Sequence, residues 1–211
     1  MRTRITELFN ISYPIMSAPM TNHSGGRLAA AVSQAGGLGS FGGIHPAGVD
    51  WLLEQVRLVR SQTDNPFAVG SLTQYIPDDL PIFDAVLEER ALAIAFSFSD
   101  PAPWLRQAKA AGAITLCQVQ DLKGADEAVA AGADVLVAQG NAAGGHTGGM
   151  NLLPFLCSVL DRYPQVPVMA SGGISDGRTL AAVLAAGAEV LIEVCSQAES
   201  ILQNRWKELK D

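Results

Sequence analysis

Residues 130–149 read Ala-Ala-Gly-Ala-Asp-Val-Leu-Val-Ala-Gln-Gly-Asn-Ala-Ala-Gly-Gly-His-Thr-Gly-Gly. The opening Ala-Ala-Gly-Ala is typical of a helix that ends at a glycine in the left-handed conformation. Val135, Leu136 and Val137 then form a short apolar run, as expected for a strand buried on both faces. A glycine-rich loop with one imidazole, His146, follows that strand. The stretch therefore predicts a helix, a turn, a buried strand and an open loop in direct succession.

The same helix-ending phrase returns at residues 110–113 and 185–188, each time just before an apolar run. Eight such runs alternate with helical patterns, and this alternation predicts a parallel sheet. The predicted strands cover residues 13–17, 36–41, 66–70, 91–96, 113–117, 134–138, 166–170 and 189–194, and a last helix covers 198–210. Eight units favour an α/β fold of the compact (β/α)8 TIM-barrel type, with residues 1–211 as one domain. An open, doubly wound sheet is the alternative.

Composition narrows the class of protein. The chain has 211 residues, 48% of them hydrophobic, and 14 Lys and Arg against 21 Asp and Glu give a net charge of −7. An acidic chain does not predict a nucleic-acid surface. We expect no signal peptide and no membrane span, hence a cytoplasmic protein. Three cysteines without a close pair predict neither disulfides nor a zinc site.

Loops that follow the strands of such a barrel carry its active site. Here they include Ala18-Pro19-Met20 after the first strand, residues 42–45 after the second, the His146 loop after the sixth, and residues 171–174 after the seventh. The glycines of the sixth loop would let a substrate approach the imidazole closely, so His146 is the candidate general base. Gly172 and Gly173 precede a helix start, which is a favourable place for an anion such as phosphate.

The remaining reactive side chains are interpreted as structural. His23 and His45 also fall on predicted loops of this face, but without a partner pattern we expect ordinary loop residues. Cys117 and Cys157 are expected to be buried as small apolar residues. Cys195 ends the last predicted strand and is given no reactive role. No spacing of His, Asp or Glu predicts a metal site.

Four segments in this order carry a family resemblance: residues 15–20, residues 35–39, Ala138-Gln139-Gly140 with residues 144–148, and residues 170–174 with 176–178. Together they resemble the nitronate monooxygenase family, formerly called 2-nitropropane dioxygenases. Relatives of that family include FMN-dependent NADH:quinone reductases and flavin enoyl reductases. The resemblance runs from about residue 5 to residue 188.

The resemblance implies an FMN-dependent barrel that acts on a small molecule. The residues that match the family's FMN contacts are Ala18, Pro19, Met20, Gln139, Gly144, Gly145, Gly172 and Gly173, with Gly173 at the phosphate. His146 matches the family's base, which would take the acidic α-proton of a nitroalkane or hold the nitronate. The implied reaction uses O2 and gives a carbonyl compound and nitrite. The redox chemistry itself belongs to the cofactor.

Four departures from the family pattern bear on activity. Ala142 stands where the family usually has glutamate, and the asparagine often found after the third strand is missing near Gly70-Ser71. Ile192-Glu193-Val194-Cys195 replaces a Gln-Met-Gly-Thr motif that holds the FMN phosphate. The smaller helical domain of the family is also expected to be absent. These features leave two alternatives open, an FMN-dependent NAD(P)H:quinone or enoyl reductase and a non-catalytic barrel, either truncated or engineered. The oligomeric state is left open.

Overall fold

The computed structural model describes residues 2–78 and 80–193. Eight strands in this part form one sheet in which all neighbours run parallel. They are β1 Ile15–Ser17, β2 Gly39–Gly42, β3 Phe67–Leu72, β4 Ala93–Ser97, β5 Ile114–Val119, β6 Val135–Gln139, β7 Val168–Ser171 and β8 Val190–Glu193. All eight predicted strands are confirmed, with ends that differ by a few residues.

The helices lie between the strands, apart from the first one. They are α1 Arg4–Phe9, α2 Gly26–Gln34, α3 Gly48–Gln62, α4 Leu80–Glu88, α5 Ala102–Ala110, α6 Leu122–Ala130, α7 Leu152–Arg162 and α8 Gly177–Ala185. The glycines that end α5, α6 and α8 have positive φ angles, at Gly112 (+85°), Gly132 (+88°) and Gly187 (+106°), which confirms the predicted left-handed ends. None of the helices described here is long and apolar enough to cross a bilayer.

The sheet closes on itself. Its order runs from β1 through β8, β7 and so on to β2. Met16 of β1 then bridges Leu38, which immediately precedes β2. The Leu38 amide donates to the Ile15 carbonyl at 2.9 Å, and the Ser17 amide donates to the Leu38 carbonyl at 3.1 Å. The (β/α)8 barrel is confirmed, and the open sheet is wrong for this chain.

Two apolar layers hold the barrel together. Side chains inside it, such as those of Met16, Leu116 and Met169, are fully buried against one another. A larger layer packs the helices on the outer face of the sheet, for example Leu52 of α3 and Phe155 of α7. Such double burial explains why the strands are continuous apolar runs without alternation.

The short helix α1 was not predicted, and it covers the amino-terminal end of the barrel. Thr3 caps it, with a reciprocal hydrogen bond from the Thr3 amide to Thr6 Oγ1 at 2.8 Å. Ile5 and Phe9 are buried among the residues inside the barrel. Arg4 Nε donates to Glu189 Oε1 at 2.7 Å, just before β8. Glu189 thus lies at a strand end and is paired.

Two of the three cysteines lie in the described residues. Cys117 is buried, as expected, and this burial raises the pKa of its thiol to about 12. The prediction for Cys157 is wrong, since this residue is exposed on α7. The inward face of α7 is formed by Phe155, Leu156 and Val159, and residue 157 falls on the opposite side. Cys195 and the helix predicted at 198–210 lie outside the described residues.

Candidate active site

A cleft of about 370 Å³ opens where the strands end at their carboxyl termini. Its floor contains Ala95 of β4 and Val137 of β6, and its walls come from the loops after β1, β4 and β6. The volume is in the range of small-molecule sites in proteins. Active sites of (β/α)8 barrels lie at this carboxyl-terminal end of the strands.

Most of the residues singled out from the sequence meet in this cleft. Those that line it are Ala18, Pro19, Met20, Gln139, Gly144, Gly145 and His146. Gly172 and Gly173 do not line it, although the residue before them, Ser171, does. The loops after three different strands thus converge on one space, as expected for strand ends that share one mouth of the barrel.

Gly172 and Gly173 support the neighbouring loop. Both have positive φ angles, +113° and +69°. A Cβ on Gly172 would lie 2.8 Å from the backbone nitrogen of Ala143, and one on Gly173 would lie 3.3 Å from the Ala142 Cβ. Glycine is therefore required at 172 because the backbone after β6 crosses directly over it. Phosphate binding by this pair stays a prediction.

At the start of helix α8, the carboxylate of Asp176 already occupies the position that an anion would take. Asp176 accepts hydrogen bonds from the amides of Arg178 at 3.1 Å and Thr179 at 2.9 Å. The Thr179 amide, followed by the Arg178 side chain, holds the pKa of Asp176 well below its usual range. These two amides are thus bound within the protein, and an added phosphate would not find them free.

The turn after β1 rests on two glycines. A Cβ on Gly70 would lie 2.4 Å from the Cβ of Pro19, and one on Gly42 would lie 2.5 Å from the Cα of Thr21. The glycines thus let residues 18–21 lie directly against the end of β2, at Gly42, and against β3, at Gly70. Gly70 thus seats Pro19.

His146 is exposed on the loop after β6 and faces the cleft. Its ring lies 5.5 Å from the ring of Phe98, edge to face at 69°. Gln120 Nε2 donates to the His146 carbonyl oxygen at 2.8 Å. Phe98 (φ +60°) and Ser99 (φ +129°) are in left-handed backbone conformations, and such conformations are concentrated at functional sites.

The other two histidines differ in position. His45 stacks on Trp51, with ring centroids 4.2 Å apart, and its Nδ1 accepts a hydrogen bond from the Ala47 amide at 3.1 Å. It does not line the cleft. His23 does line the cleft, together with His146. The structural interpretation thus fits His45, and that of His23 stays a prediction.

Sequence reasoning overlooked Gln118, Gln120 and Phe98. Gln118 and Phe98 line the cleft, and Gln120 bonds the loop beside it. The sequence did hold a signal, because Gln118 and Gln120 lie two residues apart at the end of the mainly apolar segment 114–119. Side chains two residues apart on a strand share a face, so this pair could have been placed at the mouth.

Comparison with known proteins agrees with this geometry. The sequence model of the nitronate monooxygenase family matches residues 2–82 and 80–192. The chain belongs to the nitronate monooxygenase family. A nitronate monooxygenase of Pseudomonas aeruginosa is 33% identical over 237 residues, covering 90% of this chain and 67% of that protein.

Two further proteins are similar to this chain. The (3aS,4S,5R,7aS)-5-hydroxy-7a-methyl-1-oxo-octahydro-1H-indene-4-carboxyl-CoA dehydrogenase of Mycobacterium tuberculosis is 34% identical over 190 residues, 89% of this chain and 53% of that one. The structure of FabK from Thermotoga maritima superposes with a TM-score of 0.86 at 34% identity, covering 92% of this chain and 61% of FabK. The chain thus spans about half the length of the dehydrogenase.

Membership of the nitronate monooxygenase family supports a flavin cofactor, and the cleft has matching chemistry. Gln118 Nε2 is buried and has no hydrogen-bond partner among the described residues. Buried donors in proteins are normally paired, so this amide fits a ligand that brings an acceptor. A flavin has carbonyl oxygens on one ring edge and an apolar ring at the other. Phe96, Val137 and Met20 supply apolar lining in the same cleft.

Proposed function

We propose that the cleft binds FMN and that the chain is an oxidoreductase that converts alkyl nitronates with O2 to a carbonyl compound and nitrite. The observation that supports this proposal is the convergence of Gln139, Gly144, Gly145 and His146 with the turn at residues 18–20 on one cleft. These segments are separated by more than a hundred residues in the sequence, and each matches a segment of the family.

The residues expected to hold FMN have distinct tasks. The turn Ala18-Pro19-Met20 offers main-chain groups, and Gln139, a buried residue, offers its side-chain amide. Gly144 lets the loop approach the ring because it has no side chain. Gly173 is proposed for the phosphate. Bound FMN would supply the electron transfer between the organic substrate and oxygen.

His146 is proposed to act as the general base. Imidazole is the side chain used most often for proton transfer in enzymes. Its position beside Gly144 and Gly145 leaves room for a substrate carbon next to the ring. Phe98 supports the ring from one side, which limits the directions in which it can swing. His146 would take the α-proton of a neutral nitroalkane, and a preformed nitronate would not need that step.

A reductase is the second candidate. The observation that favours it is the TM-score of 0.86 to FabK from Thermotoga maritima. In that case FMN would be reduced by NADH or NADPH, and a quinone or an enoyl compound would be the acceptor. His146 would then orient the acceptor. Rapid bleaching of the flavin by NADH without oxygen or nitronate would support the reductase.

The test compares oxygen consumption by the FMN-loaded protein on a nitroalkane and on its nitronate. We expect His146→Asn to lower turnover of the neutral nitroalkane about a hundredfold and that of the nitronate much less. His45→Asn is the matched control, since His45 lies on the same face outside the cleft. If His146→Asn turns over each substrate as fast as the unchanged protein does, His146 has no part in the mechanism. A protein that binds FMN but consumes no oxygen with any nitronate would refute the monooxygenase reaction.

A further inference from the structure

One side-chain amide connects the cleft with the loop that carries His146. Gln120 lies just after β5, and its Nε2 donates to Gln139 Oε1 at 2.7 Å and to the His146 carbonyl oxygen at 2.8 Å. Gln139 is buried in the cleft, and His146 is exposed at its rim. A single NH2 group with two hydrogens thus bridges Gln139, which is proposed to contact the flavin, and His146, which is proposed as the base.

The His146 carbonyl fixes the direction of two amides in succession. A carbonyl oxygen can only accept, so the end of Gln120 that faces it must be the NH2 group. That NH2 group also faces Gln139, and there it requires the oxygen of the Gln139 amide. The NH2 group of Gln139 is thereby turned the other way, where it donates to the Gly144 carbonyl at 3.4 Å. This long contact leaves a donor available to the cleft.

The loop also packs closely on Gln120. A Cβ on Gly148 would lie 2.9 Å from the Cβ of Gln120 and 3.3 Å from its carbonyl oxygen. Glycine at 148 thus lets the loop pass directly against Gln120. At its base, the loop is closed by the Asn141 amide, which donates to the Met150 carbonyl at 2.8 Å. Gln120 therefore bonds the loop at His146, near the middle of the segment between the two closing residues.

We propose that Gln120 is a positioning residue that holds the His146 loop and turns the Gln139 amide so that its NH2 group is offered to the cofactor. The proposal rests on the proposed function where it concerns FMN. The matching ligand group is a hydrogen-bond acceptor, such as a ring carbonyl or an unprotonated ring nitrogen. Gln120 itself does not line the cleft and acts through its two neighbours.

Two replacements separate the two consequences. Gln120→Met keeps the length of the side chain but removes both hydrogen bonds. Gln120→Glu keeps the shape, but a carboxylate cannot donate, so Gln139 would turn its NH2 group toward residue 120 and its oxygen toward the cleft. When the carboxyl of Gln120→Glu is protonated, its single O–H can again donate one hydrogen bond, to Gln139 Oε1. Gln107→Glu is the matched control, because Gln107 is exposed on α5.

The first measurement needs no cofactor. Hydrogen exchange of the amides in residues 141–149, followed by mass spectrometry, is expected to be about tenfold faster in Gln120→Met than in the unchanged protein or in Gln107→Glu. Equal exchange in all three proteins would overturn the proposal that Gln120 holds the loop. This result is obtained whether or not the protein binds FMN.

The second measurement is the FMN dissociation constant from quenching of flavin fluorescence. Both Gln120 variants are expected to bind FMN about tenfold more weakly at pH 8, and Gln107→Glu is expected to bind it normally. Lowering the pH to about 4, near the ordinary pKa of a glutamate side chain, should partly restore binding in Gln120→Glu and leave Gln120→Met weak, which a general packing defect would not do. Equal FMN affinity in all variants would refute the orientation of Gln139. Failure of every protein, including the unchanged one, to bind FMN would refute the proposed function, and the exchange result would stand separately.

Discussion

Replacement of Gly70 by alanine tests how the turn after β1 is seated. A Cβ at this position would lie 2.4 Å from the Cβ of Pro19 and 2.7 Å from its Cγ. Carbon atoms in contact are normally about 3.5 Å apart or more, so Pro19 would have to retreat by about 1 Å. Pro19 is flanked by Ala18 and Met20, and all three line the cleft.

The cost follows from crowding a packed position. Forcing one extra methyl group into a filled core typically costs about 1–3 kcal/mol, and we expect about 2 kcal/mol here. Part of the strain can be relieved because the turn is a loop and Met20 is only partly buried. In a chain of this size, 2 kcal/mol corresponds to a melting temperature lower by about 4–8 °C.

The assay is urea unfolding followed by circular dichroism, together with a thermal melt. Gly149→Ala is the matched control, since a Cβ on Gly149 would meet nothing within 4 Å. We expect it to change the free energy of unfolding by less than about 0.5 kcal/mol. The double variant Gly70→Ala with Pro19→Gly removes both of the crowded Pro19 carbons. It should therefore be less destabilised than the sum of the single variants.

The FMN affinity of Gly70→Ala provides the link to function. If the turn at residues 18–20 forms the wall of the flavin site, its displacement should weaken FMN binding in a protein that is still folded. A Gly70→Ala protein with the melting temperature and the FMN affinity of the unchanged chain would refute the close seating of Pro19.

Three further predictions concern stability. Arg4→Met should lower the free energy of unfolding by about 2 kcal/mol, because it leaves the buried carboxylate of Glu189 unpaired. Adding Glu189→Gln to this variant should recover part of the loss, as measured by urea unfolding. A double variant that recovers nothing would contradict the pairing. Gly124→Ala in helix α6 should raise the free energy of unfolding by about 0.5 kcal/mol, since its Cβ would make only ordinary contacts, and a lower urea midpoint would contradict this expectation. Burial acts to raise the pKa of Asp134, but hydrogen bonds, led by that from Lys109, outweigh it and hold this pKa below its usual value. The ionised carboxylate therefore stabilises the fold above about pH 4, and this stabilisation is lost as the pH falls through the folded pKa. On acidification, the melting temperature of the unchanged protein should therefore fall more steeply than that of Asp134→Asn. Parallel curves of melting temperature against pH would contradict this prediction.

Much of the fold could be predicted because its signals are local. Each strand is a short apolar run, and the glycines at residues 112, 132 and 187 mark helix ends that need no tertiary information. Helix α1 is different, since its six residues form a helix only against the barrel end that they cover. The burial predicted for Cys157 is wrong because it ignores which residues of α7 face the core.

The candidate site could be predicted only in part, for a similar reason. Loops that follow strands share one mouth, so the convergence of His146 and Gln139 with the turn at residues 18–20 followed from the fold class. The contact between Gly172 and Ala143 joins two loops that are distant in the sequence, so the sequence alone does not predict it. The bridge from Gln120 to His146 likewise depends on where the loop after β6 folds back.

The measurement that tests the central claim most directly is a titration of the purified chain with FMN, followed by visible absorbance and flavin fluorescence. The account predicts one FMN per chain, with quenched fluorescence and a shifted flavin spectrum. It also predicts that Gln139→Leu binds FMN at least about tenfold more weakly. A chain that stays colourless, and leaves the fluorescence of excess FMN unchanged, would contradict the claim that this cleft is a flavin site.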